Sequence, residues 1–254
     1  MTIFKKTIFF LLAACLLLGC GQGHSGGDFR VKRVIDGDTV ELVDGQTVRY
    51  LGIDTPETRR REGDKWIYSP DAYAEEAKEF NRRLVEGKSL RLEFDVQRQD
   101  KYKRLLAYCF VDGEFVNARL LEEGYALLYT SPPNVKYADI LLKMQENARR
   151  NNKGLWAGIS VIAAKDARHY LNKIVTVEGK VSSVYQSPKV TILNFGQSRF
   201  KGVIFKNEFP VFMAQGVSLS GYKGRLVRIT GKVKEYKDDF EIIIRHPSDI
   251  ETVE

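Results

Sequence analysis

Between Phe29 and Leu51, three short β-prone runs (residues 30–35, 39–43 and 47–51) are separated only by Asp36-Gly37-Asp38 and Asp44-Gly45. Such connections act as tight turns and commit this part of the chain to hairpins. A helix should follow. Tyr73, Ala77, Phe80 and Leu84 recur at helical spacing, Ser69-Pro70 has the form of a cap and first position, and Gly87 is a natural stop. Residues 90–94 and 104–110 read as further strands. Two more helices are expected around residues 116–123 and 137–150, the second ending before Gly154. Strands, helix, strands, helices describe an α+β unit built around a small β-barrel.

A second unit starts near Ser160. A helical stretch to about Asn172 leads into Val175-Thr176-Val177-Glu178-Gly179-Lys180-Val181, which is echoed by Val227-Arg228-Ile229-Thr230-Gly231-Lys232-Val233. Both alternate apolar and polar residues, and both place glycine where a long strand would bend. With residues 190–195, 200–205 and 240–245 they make five strands. That pattern looks like a small five-stranded oligonucleotide/oligosaccharide-binding (OB) barrel. Chance similarity between two amphipathic strands is the alternative source of the echo.

The amino terminus has the form of a sorting signal. Lys5-Lys6 precede an apolar run over residues 7–18, too short to span a membrane comfortably. The run ends Leu17-Leu18-Gly19-Cys20 and is followed by a flexible, glycine-rich stretch. This resembles a bacterial lipoprotein signal, with cleavage before Cys20 and a lipid placed on that cysteine. Leu18 is bulkier than the residue usual there, so an ordinary secretory peptide is the alternative. The expected segments are a signal over 1–19, a linker over 20–28, a first domain over 29–157 and a second over 160–254. Localisation is expected in the cell envelope, at the outer membrane or the outer face of the cytoplasmic membrane.

If Cys15 leaves with the signal and Cys20 carries lipid, only Cys109 remains, and no intrachain disulfide can form. Cys109 lies in an apolar alternation and is expected to be a packed thiol. His24, His169 and His246 are too scattered for a zinc cluster. The formal charge is +7, and 13 Lys/Arg against 9 Asp/Glu fall after residue 169. The stretch from Cys20 to His169 is close to neutral. Any phosphate binding there must come from the placement of individual arginines, not from a general positive field.

Three separated segments carry the residues that phosphodiester hydrolysis requires: Val34-Ile35-Asp36-Gly37-Asp38-Thr39-Val40, then Val48-Arg49-Tyr50-Leu51-Gly52-Ile53-Asp54-Thr55-Pro56-Glu57-Thr58, then Asp100-Lys101-Tyr102-Lys103-Arg104-Leu105-Leu106-Ala107-Tyr108. In this order, and over roughly residues 29–156, they closely resemble the staphylococcal nuclease (thermonuclease) family. The resemblance implies a staphylococcal-nuclease-like OB barrel with three helices and a calcium-dependent endonuclease acting on DNA or RNA and leaving 3′-phosphate ends. It implies Ca2+ held by Asp38, Asp54 and the carbonyl of Thr55, and Arg49 and Arg104 as a phosphate clamp. Glu57 would accept the proton of the attacking water or orient it. Lys101 and Tyr102 would flank the phosphates, and Tyr129 would face the nucleotide.

The chemistry behind these assignments is general. A hard cation on carboxylates cancels phosphate charge, guanidinium forks match phosphate oxygens, and a positioned carboxylate takes a proton. The sequence departs from the family at Lys103, where glycine is usual. It departs again at Thr130-Ser131-Pro132-Pro133, where a second tyrosine is expected. The alternative is a catalytically inactive nucleic-acid-binding lipoprotein, against which stands the retention of both arginines, the glutamate and both metal carboxylates. Expected partners are nucleic acid as substrate and the membrane through lipid on Cys20, with no sign of a protein partner or oligomer. The second barrel is expected to capture substrate or to dock.

Overall fold

The computed structural model describes residues 29–253. The signal, Cys20 and the linker lie outside the described residues. Strands β1 (Phe29–Asp36), β2 (Thr39–Leu42) and β3 (Thr47–Tyr50) form the expected meander, with Val40 opposite Val48. A turn at Leu51 leads to β4 (Gly52–Asp54), and an exposed hairpin of β5 (Arg59–Glu62) and β6 (Lys65–Tyr68) precedes helix α1 (Ala74–Val85). The long β7 (Ser89–Gln99) pairs with β1 and with β8 (Leu105–Val111). A parallel pairing of β8 with β3, Val48 opposite Leu105, closes the barrel. Then follow β9 (Glu114–Phe115), α2 (Val116–Glu122), β10 (Leu127–Tyr129) and α3 (Ala138–Arg150).

Alternation along these strands sends Val31, Val34, Val40, Leu42, Val48 and Tyr50 inward, where they meet Leu120, Leu121 and Leu141 from the helices. Each fully buried side chain of this kind contributes about 1.5–3 kcal/mol relative to exposure. Cys109 is wholly buried in this core, and burial pushes its thiol pKa well up, as a packed thiol requires.

Helix α1 differs from expectation at its start. Ser69-Pro70 does not cap it; Ser69 N–H donates to the Thr58 carbonyl (3.2 Å), tying the segment back beside the chain after Glu57. The helix begins at Ala74, and its buried face is Ala74, Ala77, Asn81 and Val85. Asn81 is buried because it has partners: its Oδ1 accepts from Tyr50 O–H at 3.1 Å, and its Nδ2 donates to the Asp36 carbonyl at 3.5 Å.

The second core gathers residues from Ile162 to Ile250. The stretch expected to be helical opens with a short strand β11 (Val161–Ala163) and continues as a 3-10 helix over Ala164–Tyr170. Strands β12 (Ile174–Lys180), β13 (Ser183–Gln186), β14 (Val190–Asn194) and β15 (Phe200–Phe205) precede the short helix α4 (Phe209–Ala214). Strands β16 (Leu226–Lys232), β17 (Lys234–Tyr236), β18 (Asp239–Ile243) and β19 (Ile250–Val253) complete the unit. Taking β12 with β13 and β16 with β17 as two bent strands leaves five that close in the order 1-2-3-5-4-1, with a parallel 3–5 pair (β15–β18). The first barrel closes in the same order through β3–β8. Among the described residues, no helix is long and apolar enough to cross a membrane.

The glycines of the two echoing strands do a different job from the one expected. The bends fall at Val181 and Val233, both fully buried, two residues beyond Gly179 and Gly231. The glycines serve close packing: a Cβ on Gly179 would lie 2.7 Å from the Phe195 ring, and one on Gly231 would lie 2.5 Å from Cγ2 of Ile242. Because the barrel wall opposite cannot retreat freely, Gly231→Ala is expected to destabilise the protein by about 1–3 kcal/mol. Equilibrium urea denaturation measures the loss.

Candidate active site

The Asp36-Gly37-Asp38 turn delivers Asp38 to the rim of the first barrel, where it is nearly inaccessible (6%). Its Oδ2 accepts the Thr55 N–H at 2.9 Å and lies 2.9 Å from Arg49 Nη1, while Oδ1 accepts from Thr39 Oγ1 at 3.0 Å. Gly37 makes this approach possible, since a Cβ there would sit 2.7 Å from Thr55 Oγ1. Arg49 rises from β3 opposite Thr39. Its Nη1 donates to the carbonyls of Tyr50 and Ile53, both at 2.9 Å, and its Nη2 donates to Asp54 Oδ1 at 2.9 Å. The guanidinium thus holds the β3–β4 turn in shape, with the positive φ of Gly52 (79°) at its corner. Asp54 remains open to solvent on its outer side (44% exposed).

Pro56 carries the chain to Glu57, whose carboxyl faces Asp36 and the cleft. The surrounding protein strips water from Glu57, the Asp36 hydrogen bond favours its protonated form, and the charges of Asp36, Asp38 and Asp54 add to this, pushing its pKa up to about 8. Burial raises Asp36 as well. Asp36 is the member of this cluster that the sequence did not single out; standing one residue before Gly37, it had the look of a turn residue. Asp71 is a second unforeseen neighbour: its N–H donates to the Glu57 carbonyl at 2.9 Å, and its Oδ2 accepts from Glu57 N–H at 3.4 Å.

The third motif forms a tight turn organised by Asp100, whose carboxylate accepts the N–H groups of Tyr102 (2.8 Å) and Arg104 (3.0 Å) and the Arg104 Nε (2.7 Å). Lys103 takes φ 64°, the conformation for which glycine is usual. Arg104 nonetheless stays oriented: Asp100 engages its Nε, the guanidinium lies 5.7 Å from the Tyr102 ring centre, and among the described residues neither Nη group makes a hydrogen bond. It lies just before β8, whose Leu106 sits opposite Arg49, so the two guanidiniums come from neighbouring parallel strands. Tyr102 is exposed (69%), with the Lys101 ammonium 5.0 Å from its ring centre. Tyr129, on β10 opposite Gly52, has the Arg245 guanidinium of the second barrel 4.2 Å over its ring.

Asp38, Asp54, Asp36 and Glu57 therefore converge on one rim, with Arg49 as their close counter-charge. Among the described residues, no three acidic, histidine or cysteine side chains close into a cage around a metal. Asp38 and Asp54 offer oxygen donors only, the ligand type that a hard cation takes. An OB barrel whose rim joins a nearly buried guanidinium to clustered acids defines a class of densely charged barrel-rim sites.

The comparisons narrow that class. The model of the family described as "Staphylococcal nuclease homologue" matches residues 47–158, so Asp36 and Asp38 precede the matched span. The chain is 37% identical to "Thermonuclease" of Staphylococcus intermedius over 134 residues, covering 52% of this chain and 77% of that protein. It is 41% identical over 135 residues to the SPbeta prophage-derived endonuclease YokF of Bacillus subtilis (strain 168), and 42% identical over 130 residues to Endonuclease YncB of the same organism. These matches cover 51% and 49% of this chain but only 44% and 59% of the two endonucleases. The chain belongs to the staphylococcal nuclease family.

Because Gly37 is where Thr55 packs, Gly37→Ala is expected to lower stability by about 1–3 kcal/mol. It should also loosen the Thr55–Asp38 bond. Chemical denaturation, together with slower or faster exchange of the Thr55 amide, reads both effects, and an accelerated exchange is the expected result.

Proposed function

We propose that the first barrel is a calcium-dependent endonuclease hydrolysing phosphodiesters of DNA, RNA or both, and leaving 3′-phosphate ends. The observation carrying this reading is the convergence of Arg49, Asp38, Asp54 and Glu57 at one barrel rim, with the free fork of Arg104 on the adjoining strand. Relatives named thermonuclease and endonuclease support it.

Asp38, Asp54 and the Thr55 carbonyl are the groups that would hold calcium, which when bound neutralises carboxylate and phosphate charge and acidifies a coordinated water. Arg49 and Arg104 grip the non-bridging phosphate oxygens and stabilise the charge that builds there as the reaction proceeds. Arg49 is preorganised by two carbonyls and two carboxylates, so it costs little reorganisation. In its ionised form Glu57 accepts the proton of the water as the new oxygen–phosphorus bond forms and the bond to O5′ breaks, and a proton from solvent completes the leaving 5′-hydroxyl. Lys101 and Tyr102 border the entering strand, and Tyr129 backs the nucleotide side of the site.

Glu57→Gln is expected to lower kcat by about 10²–10⁴-fold, and Arg104→Ala by about 10²–10³-fold, with folding preserved. Steady-state hydrolysis of labelled DNA and RNA tests both. Excess chelator should abolish turnover and added calcium restore it; full activity in chelator would overturn the metal assignment.

We further propose that the protein is exported and anchored to the cell envelope through lipid on Cys20, on the strength of Leu17-Leu18-Gly19-Cys20 after the short apolar run. Cys20→Ser is expected to move the protein from the membrane fraction to the soluble fraction. Retention of the variant in membranes would count against lipid anchoring.

A further inference from the structure

The two barrels meet over a cleft of about 410 Å³ whose floor includes Asp54, Thr55 and Glu57 and whose opposite wall includes Lys232, Lys234 and Arg245. The seam is fastened on both sides. Lys232 is ion-paired with Asp71, the residue that brackets the Glu57 peptide. On the other side, Arg149 of α3 reaches the Ser248 carbonyl (3.3 Å) and Thr230 Oγ1 (3.5 Å). The second barrel is thus held against the rim that carries the carboxylates.

Lys234 and Arg245 differ from Lys232 in having no carboxylate at ion-pair distance. Among the described residues, neither side chain makes a hydrogen bond or a salt bridge; Asp54 and Glu241 act on Lys234, and Glu208 and Asp249 on Arg245, only through the longer-range attraction of their charges, and the Arg245 guanidinium rests on the face of Tyr129. Lys234 is open to solvent at the cleft, yet protein crowds it enough that desolvation, and then the charge of Arg245, pushes its ammonium pKa down. Two neighbouring cations whose carboxylates lie beyond ion-pair distance keep their donors free for an arriving anion. They stand across the cleft from the groups proposed to act on the scissile phosphate.

We propose that the second barrel forms the far wall of the substrate channel, with Lys234 and Arg245 binding the phosphate next to the one being cut on a single strand of nucleic acid. This rests on the nuclease reading of the first barrel. A cleft of this size lies within the roughly 300–1,000 Å³ typical of small-ligand sites, enough for a nucleotide with its flanking phosphates. A duplex would have to give up a strand to enter. Arg245 stacked on Tyr129 adds a planar face beside the nucleotide.

The test uses the full chain, solubilised in detergent, and the double variant Lys234→Gln/Arg245→Gln. With calcium chelated so that nothing is cut, anisotropy of a short fluorescent single-stranded oligothymidylate is titrated across a salt series. The variant is expected to bind about a hundredfold more weakly, as loss of two charge-assisted contacts implies, with an unchanged thermal melt. Its salt slope should be shallower by about 0.7, since the pair holds one phosphate and each single-strand phosphate contact contributes roughly that amount. The charge-keeping pair Lys234→Arg/Arg245→Lys should restore the slope, which a merely structural role would not require.

An unchanged slope, or no binding by the unaltered protein, overturns the inference. So does tighter binding by the variant, which would mark the cations as a closure over the acids. Calcium-supported cleavage separates the two readings. Cutting with an unchanged slope sinks only the channel wall, whereas the expected slope change without any cutting sinks only the nuclease.

Discussion

Arg49 is nearly enclosed (14% of its side chain exposed), and its guanidinium donates to two main-chain carbonyls and to Asp54 while forming an ion pair with Asp38. A charge buried this far is tolerable only because every neighbour answers it; removing one partner of such a set typically costs about 3–5 kcal/mol. The consequence reaches beyond one ion pair. Arg49 fixes the turn from β3 to β4, that turn aims Asp54, and Asp38 on the same guanidinium catches the Thr55 amide. Residues far apart in the chain acquire a fixed geometry through one side chain. In the proposed role as a phosphate clamp, a guanidinium held this way by the fold would already be oriented when substrate arrives, which is where electrostatic catalysis gains most.

Much of the first barrel was legible because its signals are local. Two-residue and three-residue Asp-Gly turns fix the meander, and helical spacing of apolar residues marks α1. The errors also have local causes. Ser69-Pro70 carries the composition of a helix start, but tertiary hydrogen bonding back to residues 57 and 58 claims that backbone first. The β5–β6 hairpin has a strand of Arg-Arg-Arg-Glu with no apolar alternation, so no pattern announces it. Gly179 and Gly231 were visible as glycines in strands, but whether a glycine bends a strand or makes room for a neighbour depends on what lies opposite, which only the closed barrel supplies.

The site was legible to a different degree. Asp38, Arg49, Asp54, Thr55 and Glu57 stand out as charged residues at turn and strand ends. Asp36 does not, because its part in the cluster depends on Glu57 folding back over it from twenty-one residues downstream. Lys103 is the informative departure. Its positive φ shows that the turn geometry is retained without glycine, a strain on the order of 1–2 kcal/mol. Three hydrogen bonds to Asp100 hold the turn closed around it. The anchoring of Arg104 thus passed from backbone freedom to a carboxylate four residues earlier.

Charge explains why the second barrel matters to the first. The region around the acidic rim is close to neutral overall, and the rim itself gathers four carboxylates against Arg49. A polyanion approaching it gains little from long-range attraction. Lys234 and Arg245 change that balance only because the shared strand order of the two barrels leaves a bent strand edge, β16 into β17, facing the cleft. The positive excess that follows residue 169 is therefore not spread uniformly as a general polyanion surface: part of it is brought to the one place where the first barrel is short of cations.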